Sequence, residues 1–160
     1  MDPNAVVEVF RRTVTDHYLD FQGRVRRQEF WYYMLAYVVI YVILGVAQSV
    51  FHTHVLTALM SLGLLLPTLG ISVRRLHDTD RTGWWVLLAA VPVVLLGLLT
   101  SFAMLTGAYT MMFFTATLLP ILALAAAALL IYWYAQPGTV GANQYGADPK
   151  GGSPATAAAA

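Results

Sequence analysis

The sequence predicts an all-α membrane protein, a four-transmembrane-helix bundle with an N-terminal amphipathic helix and a cytoplasmic polar cap. Three observations predict this fold. Hydrophobic residues make up 59% of the chain and charged residues 11%, against about 25% charged residues in an average soluble domain. Four apolar stretches are each long enough to cross a hydrocarbon core of roughly 30 Å. All nine basic residues fall on one side of these stretches.

The N-terminal segment, residues 1–22, is predicted to be an amphipathic interfacial helix. Asp2 is a suitable N-cap residue, and Pro3 suits the first turn. We expect this helix to pack on the membrane surface or on the loops of its own bundle, with a recruited partner helix as the alternative. Its apolar face, which repeats at helical spacing, consists of Val6, Phe10, Val14, Tyr18 and Phe21.

The four-span membrane domain is predicted to cover residues 23–149. Its last three spans contain proline or glycine, which indicates bent or closely packed helices. Ser61, Thr68 and Ser72 share a face of the second span, and we expect them to point into the bundle for helix packing or, alternatively, as a polar pathway. The spans cover about residues 31–51, 55–73, 84–105 and 112–134.

Aromatic residues mark the ends of the spans. Tryptophan rings are enriched where a helix crosses the headgroup layer, so four tryptophans are predicted to be interfacial anchors. The tail, residues 150–160, consists mainly of Gly, Ser, Pro and Ala, a composition that predicts disorder. The predicted anchors are Trp31, Trp84, Trp85 and Trp133.

The positions of the basic residues predict the orientation of the chain. Five arginines precede the first span, three lie between the second and third spans, and Lys150 follows the fourth. The two connections on the opposite side contain no Lys or Arg. Because translocation of Lys and Arg is disfavoured, the basic side is predicted to be cytoplasmic. We therefore expect a multi-pass protein of the bacterial inner (cytoplasmic) membrane with both termini in the cytoplasm.

Three polar motifs occur in order on this basic side. They are FQGR at residues 21–24 with Arg27, Glu29, Phe30 and Trp31; RRLHDT at residues 74–79 with Arg81, Gly83, Trp84 and Trp85; and Gly138, Gly141, Asn143, Tyr145-Gly146 and Asp148-Pro149. Their order and spacing resemble the DUF805 family of small bacterial inner-membrane proteins. The resemblance covers most of the chain, from residue 21 to residue 149. It implies a four-helix membrane architecture and no set of catalytic residues.

One position departs from the pattern that this family often shows. The family pattern Gly-Arg-x-Ser-Arg-x-Glu-Phe-Trp pairs a Ser with a Glu, which can form a capping box at the start of a helix. This chain has Arg26 at the Ser position. Glu29 therefore lacks a hydroxyl partner there, and we expect it to pair with an arginine instead.

The polar residues of the three motifs are predicted to form one cluster at the cytoplasmic face. Charges at the ends of membrane helices must reach the headgroups or find partners, and partners of both signs are present. We favour an ion-paired clamp that ties the N-terminal turn, the central loop and the tail together. Binding of anionic headgroups is the second interpretation, because guanidinium groups bind phosphate bidentately. The candidate residues are Arg24, Arg27, Glu29, Arg74, Arg75, His77, Asp78, Asp80, Arg81, Asn143 and Asp148.

The function that these features predict is non-enzymatic: a scaffold or accessory protein that binds anionic lipid headgroups or a membrane partner. An oligomeric small transporter or channel is one alternative, although no Asp, Glu, Lys or Arg falls inside the predicted spans. A headgroup-modifying enzyme is the other, and it requires His77 and Asp78 side by side in an open pocket. No activated Ser or Cys nucleophile accompanies this pair, and no nucleotide-binding motif occurs.

Cofactors and nucleic acid have little support from the sequence, and we predict no cofactor. A metal at His77, Asp78 and Asp80 is disfavoured by the neighbouring arginines. His52 and His54 would bind a metal only if oligomers brought several copies together. The basic residues are balanced by acids and lie at the bilayer, which argues against binding to nucleic acid.

Overall fold

The computed structural model describes residues 3–51 and 55–151, and within these ranges it contains α-helices and no β-strand. Four of these helices are each long and apolar enough to cross a membrane. The predicted all-α class with four spans is therefore confirmed. The helices are α1 (Pro3–Thr15), α2 (Arg27–Phe51), α3 (Val55–Asp78), α4 (Leu87–Thr106) and α5 (Tyr109–Ala135), with a 3-10 turn at Gly83–Val86 before α4.

Some sequence predictions concern residues that lie outside the described ranges. They include the proposed N-cap at Asp2, the histidine pair His52 and His54, and the tail from residue 152 onward.

The first helix is shorter than the prediction over residues 1–22. α1 ends at Thr15, and the chain then turns towards α2. Local hydrogen bonds hold this turn, because the Asp20 carboxylate accepts the Gln22 N–H at 3.0 Å and lies 2.9 Å from His17 Nδ1. Asp side chains bind nearby backbone donors in this way and favour turns over helix, which fits the non-helical path of residues 16–22.

Aromatic packing joins the first three helices. The Phe10 ring of α1 stacks on the Tyr33 ring of α2, with centroids 5.4 Å apart. Tyr33 is fully buried, and its hydroxyl lies 2.8 Å from the Thr68 hydroxyl on α3. α1 therefore packs against the helices of its own bundle.

The core of the molecule lies at the end of the bundle that carries the polar motifs. There the Phe30 ring of α2 lies 4.6 Å from the Tyr134 ring of α5, centroid to centroid, and both are buried with Ile71 and Leu76 of α3. Further from this end, most apolar side chains of α2 to α5 are exposed at the surface of the protein. This is the surface that a helix bundle offers to lipid acyl chains.

The last two helices form a tight antiparallel pair. Gly107 ends α4 in the left-handed conformation, with φ 68°, as expected for a C-terminal cap. Ala103 of α4 and Thr115 and Leu119 of α5 are buried. The short connection joins the C-terminal end of α4 to the N-terminal end of α5. Both of these ends lie at the side of the bundle opposite the polar motifs.

Candidate functional site

The central motif begins on a helix, although the sequence predicted a loop from residue 74. α3 continues to Asp78 and ends in a Schellman motif, in which Asp80 adopts a left-handed φ of 58°. The Arg81 N–H donates to the Leu76 carbonyl at 3.0 Å, and the Asp80 N–H donates to the His77 carbonyl at 3.1 Å. The helical geometry places Arg75 and Asp78 on the same face, because residues three apart are neighbours on a helix.

Asp78 lies between two arginines. Arg24, from the turn before α2, donates its Nε–H to Asp78 Oδ1 at 3.0 Å, and Arg75 Nη1 donates to Asp78 Oδ2. The side chains of Arg24, Arg75 and Asp78 are 1%, 0% and 3% exposed. We call these three residues the buried triad. Removing one partner from such a buried pair costs about 3–5 kcal/mol, because the remaining charge loses its compensation.

Arginines also cap the C-terminal end of α5. Arg75 Nε donates to the Tyr134 carbonyl at 3.0 Å, and its Nη2 donates to the Gln136 carbonyl. Arg27 Nη1 donates to the Ala135 carbonyl at 3.2 Å. The last carbonyls of a helix have no partner inside the helix and carry the negative end of its dipole. They therefore offset the second positive charge of the buried triad, which holds two guanidinium groups and one carboxylate.

The segment that follows α5, residues 136–149, wraps over the buried triad; from here on we call it the tail, as distinct from residues 150–160. Arg24 donates to the carbonyls of Thr139 at 2.6 Å and Gly141 at 2.7 Å. The Thr139 N–H donates to the Asp78 backbone carbonyl at 2.8 Å. Gly138 lies so close to Asp78 that a Cβ atom there would overlap the carboxylate. The tail is thus fixed to α3 and to the turn before α2.

His77 holds the same tail from another side. Its ring stacks on the Tyr145 ring with centroids 3.9 Å apart and an angle of 3° between the planes. Its Nδ1 lies 3.2 Å from the Gly23 carbonyl, and its own carbonyl accepts the Asn143 amide at 2.8 Å. His77 and Asp78 therefore contact different partners and do not form a side-by-side pair.

A second charged group lies under α1, apart from the buried triad. Arg74 is 6% exposed, and its Nη1 lies 3.7 Å from Asp20 Oδ2. Glu29 lines the same small cavity as Arg74, but within the described residues its carboxylate forms no salt bridge with an arginine, so the expected pair is not found. Burial raises the pKa of Asp20, but its hydrogen bonds with Gln22 and His17 and the charge of Arg74 outweigh burial, so the pKa lies below its usual value.

The remaining candidate residues are Asp80, Arg81 and Asp148. They lie around the edge of the polar cap, which is the end of the bundle that holds the three polar motifs. The Arg81 guanidinium lies 4.9 Å above the Trp133 ring, and Trp85 packs edge-on against Trp133 at 5.3 Å. Asp80 accepts a hydrogen bond from Gln144 at 3.3 Å. Backbone N–H groups of Lys150 and Gly141 lower the pKa of Asp148.

The predicted anchors differ in exposure. Trp84 is 79% exposed, Trp85 45% and Trp31 38%. Trp133 is half-buried under Trp85 and Arg81.

Sequence reasoning missed several residues of the cap. Arg26 donates its Nε–H to the Pro149 carbonyl at 2.5 Å, although it was not among the candidates. Thr139 contributes its backbone N–H and carbonyl, and its hydroxyl donates to the Asp78 carbonyl at 3.2 Å and accepts the Asn143 amide at 3.1 Å. Tyr145 belongs to the third motif and lies two residues after the candidate Asn143. This position was the available signal that Tyr145 contributes to the site. Among the described residues, no group of three His, Asp or Glu side chains is placed to hold a metal ion.

Gly138→Ala tests the close packing of the tail on Asp78. The new Cβ must displace either the carboxylate or the tail, so we expect a loss of about 1–3 kcal/mol in the free energy of unfolding. Gly151→Ala is the control, because its nearest contact would be an ordinary 3.4 Å. Denaturant unfolding in detergent measures both. Equal stability of the two variants would contradict the described contact.

Comparison with known proteins gives the family of the chain. The family described as "Protein of unknown function (DUF805)" matches residues 18–147. Inner membrane protein YhaI of Escherichia coli (strain K12) is 33% identical over 143 residues, which cover 88% of this chain and 95% of that protein. Inner membrane protein YhaH of the same strain is 29% identical over 143 residues, covering 86% and 93%. Uncharacterized protein YiiR, also of that strain, is 31% identical over 139 residues, covering 85% and 90%.

No solved structure matches this chain. The similarity to two inner membrane proteins, together with the four apolar helices, supports a multi-pass location in the inner membrane. The match to the family covers most of the chain and confirms the resemblance carried by the three polar motifs. The chain therefore belongs to the DUF805 family.

Proposed function

We propose that the protein is a non-enzymatic scaffold or accessory protein that binds anionic lipid headgroups at the cytoplasmic face of the membrane. The sorting of charges in the polar cap carries this proposal. The two arginines of the buried triad are occupied by Asp78 and by backbone carbonyls, and Arg74 faces Asp20. Several other basic side chains at this end are exposed, beside the interfacial tryptophans, where they are available to phosphate groups. These exposed residues are Arg26, Arg27 and Lys150. Arg11 on α1 is also exposed, but its guanidinium is already paired with Glu8 at 2.7 Å.

The buried triad supports a structural role more strongly than a catalytic one. A general acid–base pair needs side chains that can reach a substrate and exchange protons with it. Asp78 is 2% exposed and bound by two guanidinium groups, and the His77 ring is stacked on Tyr145. This arrangement argues against the headgroup-modifying enzyme that uses His77 and Asp78.

The polar residues of the spans give little support to a transport pathway. The Ser72 hydroxyl donates to the Thr68 carbonyl at 2.7 Å, and the Thr68 hydroxyl faces Tyr33. Near the other end of the helices, Thr57 donates to Gln48 at 2.8 Å. These bonds tie Thr57, Thr68 and Ser72 to neighbours inside the chain, whereas Ser61 is exposed and does not point into the bundle as expected. Scaffolding with lipid binding is therefore the better-supported function.

The proposed orientation can be tested by cysteine labelling, because the chain contains no cysteine of its own. Ala147→Cys places a thiol in the exposed tail, and Tyr109→Cys places one beside the connection between α4 and α5, where the native side chain is 80% exposed. We expect a membrane-impermeant maleimide to label Tyr109→Cys in intact spheroplasts, and to label Ala147→Cys only after the membrane is opened. The reverse pattern would contradict a cytoplasmic polar cap.

Lipid binding can be tested by native mass spectrometry from mild detergent. With phosphatidylglycerol and phosphatidylcholine present at equal concentrations, we expect the protein to retain phosphatidylglycerol preferentially. The preference should weaken as salt is raised, because exposed charges are screened over about 10 Å at 0.1 M ionic strength. Equal retention of the two lipids would contradict the proposed function.

A further inference from the structure

An open recess of about 310 Å³ lies beside the first turn of α2. Arg26, Arg27, Gln28 and Lys150 line it. We propose that this recess is a binding site for the phosphate group of an anionic lipid headgroup. The inference rests on the proposed function and assigns the headgroup binding to one site.

The recess is lined by hydrogen-bond donors and contains no acidic side chain. Three of its four residues are cationic, and Arg is the side chain that best matches the oxygens of a phosphate. Of the nearby carboxylates, Glu29 lines the separate cavity with Arg74, and Asp148 accepts the N–H groups of Gly141 and Lys150 at 3.0 and 2.8 Å. The positive charge of the recess is therefore left for a ligand.

Both arginines are held in place while keeping free donors. Arg26 uses its Nε–H to bind the Pro149 carbonyl, and Arg27 uses Nη1 to bind the Ala135 carbonyl. Within the described ranges these are the only hydrogen bonds that the two guanidinium groups make, so their other N–H groups are available. Such a site loses less side-chain entropy on binding than one made of free side chains.

The start of α2 adds backbone donors to the same place. The first turn closes with the bond from the Phe30 N–H to the Arg26 carbonyl at 3.1 Å. The N–H groups of residues 27–29 precede this bond, and such groups favour an anion at a helix start. Arg26 is the N-cap residue of α2, and its side chain has no hydrogen-bond acceptor for these N–H groups. A phosphate oxygen would supply the missing acceptor.

The depth of the recess favours a lipid over a free anion. Trp31 lies one helical turn after Arg27, and it is 38% exposed. Tyr32 lies one turn after Gln28, and its hydroxyl accepts the Gln28 amide at 2.7 Å. Because Trp and Tyr side chains concentrate at the membrane interface, the recess opens at the level of the headgroups.

The test compares two pairs of substitutions that remove the same charge from the same end of the molecule. Arg26→Gln/Arg27→Gln alters the recess, and Arg11→Gln/Arg12→Gln alters exposed positions on α1. We expect the dissociation constant for phosphatidylglycerol, measured by lipid titration in detergent, to rise about tenfold or more in the recess pair. It should change by less than about twofold in the α1 pair, because Arg11 is already paired with Glu8 and exposed charges outside the recess are screened.

A single substitution tests the same site without breaking either arginine contact. Within the described residues the Lys150 ammonium makes no hydrogen bond, so Lys150→Gln leaves the bonds to Pro149 and Ala135 intact. We expect it to weaken binding about threefold or more, since a nearby basic residue contributes about 1 kcal/mol to anionic-lipid attraction. Unchanged affinity in this variant and in the recess pair would overturn the inference.

The outcomes separate the inference from the proposed function. If wild-type protein prefers phosphatidylglycerol but the recess and α1 pairs weaken binding equally, the recess is overturned as the site and the proposed function stands. If wild-type protein has no preference over phosphatidylcholine, both are overturned. Inorganic phosphate should not displace the lipid at matched concentrations. Full displacement would identify a free anion as the ligand and overturn the lipid assignment.

Discussion

The fully buried guanidinium of Arg75 is the group on which the rest of the polar cap depends. It binds Asp78 within α3 and the carbonyls of Tyr134 and Gln136 at the end of α5. It also lies 3.5 Å from the Val25 carbonyl before α2. A buried charge without such partners would cost several kcal/mol, so the three segments must meet around it. The ends of the membrane helices are thereby fixed relative to one another.

The main features of the fold could be predicted because they follow from long apolar runs. The four spans follow from these runs, and the amphipathic N-terminal helix follows from the spacing of its apolar residues. The C-terminal ends of α1 and α3, by contrast, differ from the prediction. α3 runs past Val73 because Arg74 and Arg75 find partners inside the protein, so a charged sequence that resembled a loop is helical. α1 ends at Thr15, before a turn held by local bonds at Asp20 that the periodicity of apolar residues does not reveal.

The candidate site was predictable in its residue types but not in its pairing. Charged residues at the ends of spans pointed to a common cluster, and the structure brings Arg24, Arg75 and Asp78 into contact. It places Arg74 in a separate group under α1. Most of the hydrogen bonds that Arg24 and Arg75 make go to backbone carbonyls, which carry no residue signature, so the wrapping of the tail could not be anticipated. The internal pairing also leaves Arg26 and Arg27 exposed at the edge of the polar cap.

A double-mutant cycle between Arg24 and Asp78 tests the central claim most directly, namely that these distant residues form one buried ionic contact. The free energy of unfolding is measured in detergent for the wild type, Arg24→Gln, Asp78→Asn and the double variant. If the two residues are in contact, the decrease in the free energy of unfolding of the double variant is smaller than the sum of the two single decreases. The expected difference is at least about 1 kcal/mol, within the range found for residues in contact. Additive losses would contradict the account.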